Sequence, residues 1–275
     1  MRFSHLRAHA AALFLVCALP AGTALAAANS CQSAPFDAWL DGVKKEAAAA
    51  GISQRAISAS LDGVEFDQSI ISHDRGQGVF HQTFEQFSGR MVNSYRLTKG
   101  AALLRQYAPV FSQIEAQYGV PGPMIVAIWG LETDFGAVTG NFPTIRALAS
   151  LAYDCRRADY FHGQLLDALR LVDRGYFSPQ QMHGAWAGEL GQTQFMPDAY
   201  LKFGVDFDGH GRPDLIHDVP DVLASTANFL HSYGWQRGQG WSPGQPNFAA
   251  VQQWNKSDVY SRTIAYFATR LAGGK

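Results

Sequence analysis

The chain predicts a mostly α-helical fold, and three observations predict it. Apolar residues recur at spacings of three and four from end to end, period-two alternation is scarce, and the helical stripes stop at glycine or proline. Phe36, Trp39, Leu40 and Val43 make the first stripe. Leu103, Leu104, Tyr107, Phe111, Ile114 and Tyr118 make a second, read as one helix that Gly119 closes, with Pro121 just beyond. Pro123 then sits where the first turn of a helix accepts proline, and Ile125, Ile128, Trp129 and Leu131 carry a nearly all-apolar, hence central, helix up to Glu132. Later stripes run through Phe161, Leu165, Leu169 and Val172, and through Val222, Leu223, Thr226, Phe229, Leu230 and Tyr233 with Gly234 as terminator. The last follows Ser257, with Tyr260, Ile264, Phe267 and Leu271. Between Trp235 and Ala249 the chain is rich in Gly, Pro, Gln and Trp and reads as a loop lying against the fold.

Residues 1–26 read as a secretory signal: Arg2 and Arg7 precede an apolar run from Ala10 to Leu19, and Ala24-Leu25-Ala26 forms an A-x-A cleavage pattern. Pro20 and Gly22 interrupt that run short of the ~20 apolar residues of a membrane span. The expectation is an exported, periplasmic protein with no membrane span after cleavage near Ala26, its catalytic domain covering 27–275, either as one unit or as two lobes. Cleavage removes two of 22 cations and none of 23 acids, so the formal charge moves from −1 to −3, which gives no electrostatic footprint for nucleic acid. In an oxidising compartment Cys31 and Cys155 are expected to pair as a disulfide. No cysteine spacing matches a zinc site, and the nine histidines contain no H-E-x-x-H pattern.

Glu132 ends the apolar helix in Trp129-Gly130-Leu131-Glu132-Thr133-Asp134-Phe135-Gly136. Ile128, Trp129 and Phe135 would desolvate its anion, and a helix C-terminus disfavours negative charge, so both effects favour a protonated general acid. Ordinary glycosidases use two carboxyl groups. Asp134 is a poor partner, since two residues along a helix rotate it by about 200°. Glu189, in Gly188-Glu189-Leu190-Gly191, is better placed, though sequence alone does not bring it to Glu132.

These motifs resemble the membrane-bound lytic transglycosylase B family of peptidoglycan-cleaving enzymes. The resemblance runs from about Phe36 to Leu271 and rests on Tyr118-Gly119-Val120-Pro121, the Trp129 to Gly136 motif and Thr139-Gly140-Asn141-Phe142. It extends through Arg156-Arg157-Ala158, Trp186-Ala187-Gly188, Gln194-Phe195-Met196-Pro197 and Leu271-Ala272-Gly273-Gly274. It implies a lysozyme-like helical fold with an extended helical N-terminal part and a substrate cleft. It further implies Glu132 as sole acid/base, cleaving between N-acetylmuramic acid and N-acetylglucosamine with closure of a 1,6-anhydro ring, so that the substrate supplies the nucleophile. Gln194 would line the sugar cleft, and Arg156 and Arg157 would face peptide stems, whose carboxylates suit guanidinium groups. Tyr260 and Trp254 would line the cleft, Trp254 standing where tyrosine is expected. Ala185 stands where the family usually has a serine near the substrate's acetamido group. The partners implied are peptidoglycan glycan strands, with cell-wall synthesis or division proteins as further candidates. A hydrolytic muramidase and a non-catalytic peptidoglycan-binding scaffold are the competing readings.

No cofactor is required by this chemistry, but a structural Ca²⁺ is a second expectation. Asp206-Phe207-Asp208-Gly209-His210-Gly211-Arg212-Pro213-Asp214 fits an EF-hand start with oxygen donors at positions one, three and nine and glycine at six. His210 replaces the ligand at five and His217 the closing glutamate, so closure would fall to Asp218 or Asp221.

Overall fold

The computed structural model describes residues 34–76 and 82–274; the expected leader and Cys31 lie outside them. Among the described residues the chain forms thirteen α-helices, one 3-10 turn and one two-stranded ribbon. Helices α1 (Phe36–Ala49), α2 (Gln54–Leu61) and α3 (Gln68–Gly76) are followed by α4 (Phe84–Met91), α5 (Ser94–Gln106), α6 (Ala108–Tyr118) and α7 (Gly122–Thr133). Strand β1 (Phe142–Pro143) leads to α8 (Thr144–Tyr153) and α9 (Ala158–Asp173), then β2 (His183–Gly184) and α10 (Pro197–Phe203). The chain ends in α11 (Val219–Ser232), α12 (Phe248–Trp254) and α13 (Asp258–Leu271).

Local chemistry sets many of these boundaries. Ser53, Asn93, Asp218 and Ser257 cap α2, α5, α11 and α13 with side-chain oxygens on otherwise unpaired amides, and Thr83 with Gln86 forms a capping box on α4. Gly119 closes α6 in the left-handed conformation at φ 74°, as its sequence position predicts. The single helix expected from Leu103 to Tyr118 is two. Tyr107 ends α5 and starts α6, because Pro109 occupies the first turn of α6 and has no N–H to continue the α5 ladder.

Two apolar clusters result. One gathers α1, α2, α3, α8, α9 and α10; the other gathers α5, α6, α7, α12 and α13. Helix α11 belongs to both, since Val222 enters the first cluster and Leu223 the second. Helix α7 is buried on nearly every side, as its sequence predicts. A side chain at Gly130 would place its Cβ 2.6 Å from Phe135 Cε1, so glycine there admits the ring that closes the helix end. The loop from Trp235 lies against the fold as expected: Trp235 donates to Gly119 O at 2.9 Å, and Trp241 donates to Thr269 Oγ1 at 3.1 Å.

Candidate active site

Helix α7 stops abruptly at its C-terminus, because Asp134 and Phe135 take left-handed φ values of 50° and 62°. Non-glycine residues adopt this region at a cost, so other contacts must hold them there. Arg96 Nε donates to Asp134 Oδ1 at 2.6 Å, and Phe135 sets its ring edge-on to Trp129 at 5.7 Å. Thr133 Oγ1 donates to Gln192 O and accepts from Gly136 N at 2.8 Å. Glu132 is thereby fixed in the last turn, half-buried at a cleft of about 600 Å³.

Two donors converge on its carboxyl group. Trp254 Nε1 and Tyr260 OH each lie 2.9 Å from Glu132 Oε1. Trp254 is held by edge-on contacts with Phe195 at 5.3 Å and Phe229 at 4.9 Å, so its N–H is aimed by packing. Burial pushes the Glu132 carboxyl up to about 7; the Trp254 and Tyr260 bonds pull it down, and the negative charge of Glu189 pushes it up further. The Tyr260 phenol is driven well above its ordinary value by burial and by Glu132, so it stays a donor.

The opposite wall is a loop tied by close backbone pairing. Phe142 pairs with Gly184 and Pro143 with His183, and bridges link Gly184 to Leu190 and Leu190 to Phe195. Gly184 has no room for a side chain, since its Cβ would sit 1.7 Å from Glu189 O. Gln192, which the sequence did not single out, joins this loop to α7: its Oε1 accepts from Trp129 Nε1 at 3.0 Å and its Nε2 donates to Ile216 O at 3.0 Å. The available signal was a buried tryptophan needing an acceptor. Gln194 lies in the cleft at a left-handed φ of 56°. Its Nε2 donates to Thr139 O at 3.2 Å and Gly191 O at 2.8 Å, so its amide oxygen is the atom left to accept from a ligand.

A family model described as a transglycosylase SLT domain matches residues 35–245. This chain belongs to that family. Its match to the membrane-bound lytic murein transglycosylase B of Escherichia coli is 34% identical over 170 residues, 59% of this chain and 47% of the relative, so it spans about half that protein's length. SltB3 of Pseudomonas aeruginosa is 30% identical, covering 87% of this chain and 80% of its own. Its crystal structures in complex with NAG-anhNAM-pentapeptide and NAG-NAM-pentapeptide superpose at TM-scores of 0.82 and 0.83. The Escherichia coli lytic transglycosylase Slt35 in complex with calcium superposes at 0.75 with 23% identity, covering 87% of this chain and 93% of its own; at that identity the likeness concerns the fold. The mostly helical, lysozyme-like fold of these SLT-domain proteins is therefore the fold of this chain.

Within this SLT-domain fold, Glu132, Gln194, Trp254 and Glu189 line one cleft, and Tyr260, which is not among the residues lining it, bonds to Glu132. Asp134 turns away to Arg96. Arg156 and Arg157 both engage the buried carboxylate of Asp74, Arg156 Nη1 at 2.9 Å from Oδ2 and Arg157 through Oδ1. Ala185 is half-buried on the loop before Trp186, and its side chain is not among those lining the cleft.

The acidic loop partly matches its expected ligand set. Asp208, His210 and Asp218 form one group, and Asp206, Asp208 and Asp221 another, each with ligand atoms within 4.8 Å of one another. Asp214, expected as the ninth-position ligand, falls in neither. Its Oδ1 accepts from Ile216 N at 3.0 Å and His217 N at 2.9 Å, which makes it a turn-forming residue. His210 turns its Nδ1 to Asp208 at 2.9 Å and Asp218 at 3.5 Å, and of the two alternative closing acids Asp218 falls in the first group and Asp221 in the second. Cys155 is disulfide-bonded; its expected partner Cys31 lies outside the described residues. Among the described residues no helix is long and apolar enough to cross a membrane.

Proposed function

We propose that this protein is an exported lytic transglycosylase that cleaves the β-1,4 bond between N-acetylmuramic acid and N-acetylglucosamine in peptidoglycan. One observation carries the reading: Glu132 stands in a cleft with its carboxyl pushed up to about 7, held by two neutral donors on a single oxygen. A carboxyl group poised there is protonated on a large fraction of molecules near neutral pH, as a general acid must be. With Oε1 occupied by Trp254 and Tyr260, Oε2 carries the proton to the glycosidic oxygen. As the C–O bond breaks, positive charge grows at the anomeric carbon, where the substrate's 2-acetamido group stabilises it. Glu132, now a carboxylate stabilised by the same two donors, takes the proton of the C6 hydroxyl, and that oxygen bonds to the anomeric carbon to close the 1,6-anhydro ring. No water enters the products, so no second carboxylate is needed to activate one.

The same reading places the protein in the periplasm after cleavage near Ala26, as one catalytic domain from residue 27. Glycan strands are its substrate, and wall-synthesis or division proteins are its candidate regulators. Arg156 and Arg157, half exposed while holding Asp74, keep donors for peptide-stem carboxylates. Ca²⁺, where bound, would be held by Asp206, Asp208, His210, Asp218 and Asp221; its role would be to brace the loop beside α11, not to enter the reaction.

Mass spectrometry of muropeptides released from purified sacculi tests the reaction. Anhydro ends are expected. Reducing N-acetylmuramic acid ends would replace this reading with a hydrolytic muramidase, and no product at all would replace it with a binding scaffold.

A further inference from the structure

Helix α3 and the junction between α8 and α9 exchange charged side chains in both directions. Arg75 of α3 donates to Asp154 Oδ1 at 2.6 Å, and Asp154 Oδ2 accepts from Arg156 N at 3.3 Å. In return, Asp74 of α3 accepts from two arginines: Arg156 Nη1 lies 2.9 Å from Oδ2, and Arg157 Nη2 donates to Oδ1. Arg156 Nη1 also donates to the Asp74 carbonyl. The Arg75–Asp154 pair alone ties the two segments together, so a second carboxylate that gathers two guanidinium groups does something more. The Asp74 side chain is 2% exposed, whereas those of Arg156 and Arg157 are 51% and 41% exposed. One buried carboxylate therefore holds both arginines from below and leaves their outer N–H groups in solvent. Arg156 keeps its Nε–Nη2 edge, which donates to nothing among the described residues and whose parallel N–H groups match a carboxylate. Three guanidinium groups against two carboxylates leave one positive charge at this corner. Arg157 is braced a second time, with Cζ 4.7 Å over the Phe161 ring, and its charge acts on Glu189 and Tyr160, which both line the cleft.

We propose that Asp74 is a positioning residue for peptide-stem recognition, holding Arg156 and Arg157 so that the free Nε–Nη2 edge of Arg156 receives a stem carboxylate. This rests on the reading of the two arginines as stem contacts. A free arginine loses rotamer freedom when it binds, and one already held by a buried partner loses less at that step. Without the Asp74 charge, the two adjacent guanidinium groups repel each other and turn into solvent. Asp74 touches no substrate; it acts through the arginines.

Calorimetry on a Glu132→Gln background, with a short glycan strand bearing pentapeptide stems and the same strand without them, tests this role. Adding Asp74→Asn should weaken the stem-bearing strand about tenfold and the bare strand less than about twofold. An equal loss on both strands makes Asp74 merely structural and overturns the proposal, and tighter binding of the stem-bearing strand overturns it by making Asp74 a competitor of the stem. Arg156→Ala separates the two readings. If it leaves the stem-dependent affinity intact, the arginines are not stem contacts and both readings fail; if it removes that affinity and Asp74→Asn does not, only the positioning role fails. With Arg156→Ala and Arg157→Ala both in place, Asp74→Asn should add less than about twofold, since it acts through them. Nitrogen-15 NMR of the arginine side chains needs no change at Asp74 and so covers a variant that does not fold. Hindered rotation of the Arg156 guanidinium before ligand is added is expected, and rotation that slows only when the stem-bearing strand binds overturns the proposal.

Discussion

Asp221 spends both carboxyl oxygens on backbone amides, Phe207 N at 2.6 Å and Asp214 N at 2.8 Å, whereas Glu132 receives its two bonds from side chains, both on Oε1. Both are acids raised by burial, Asp221 to about 6 and Glu132 to about 7, so the shift does not tell them apart. The donors do. Backbone amides on both oxygens shape the chain, and Asp221 binds the turn before α11 to α11 itself. Side-chain donors on one oxygen leave the other oxygen for a ligand. A perturbed acid therefore identifies a reactive group only when its unused oxygen faces a cavity.

The contrast can be broken by exchange of function for stability. Glu132→Gln should lower the rate of anhydro-muropeptide release by about 10²- to 10⁴-fold, the usual contribution of a general acid, while the melting temperature holds. Asp221→Ala should do the reverse: two backbone amides lose their acceptor, which costs about 2–3 kcal/mol in a denaturant titration, with turnover retained wherever the protein is folded. Tyr260→Phe removes a donor that favours the Glu132 anion, so the Glu132 carboxyl rises and activity should persist to higher pH. Because the acid must be protonated to act, the alkaline limb moves upward from near 7, and a limb that moves downward would show that Tyr260 does not bond the carboxylate. The smallest effect belongs to the loop. Ca²⁺ at ten times its Kd should add about 1.4 kcal/mol, a rise in melting temperature of a few degrees, and Asp208→Asn should abolish that rise.

Sequence periodicity reaches these features unevenly. Helix α7 was legible because an all-apolar stretch that opens on Pro123 and runs to Glu132 has few other readings. The α9, α11 and α13 stripes were legible for a different reason: these helices run 14 to 16 residues, long enough for one apolar face to repeat. Helices α2, α3, α4, α10 and α12 run seven to nine residues, about two turns each and too short for a stripe to repeat, although Ser53 and Thr83 mark two of their starts. The break at Tyr107 was hidden because apolar spacing continued across it, while Pro109 decided the hydrogen bonding. The engagement of Arg156 with Asp74 spans 82 positions and depends on how α3 meets the start of α9, which no local pattern encodes. Trp254 shows the limit of substituting by motif: it takes a place where tyrosine was expected, yet its indole N–H reaches Glu132 directly.

Phe229 and Trp254 pack against both apolar clusters at once, 4.9 Å apart, and Trp254 also holds the acid. The two halves of the molecule thus share rivets in place of a hinge. Loosening either half frees the indole from its aromatic seat and takes a donor from Glu132 in the same event. Heat inactivation and unfolding should therefore follow one cooperative curve, with no window in which a folded chain has lost its acid.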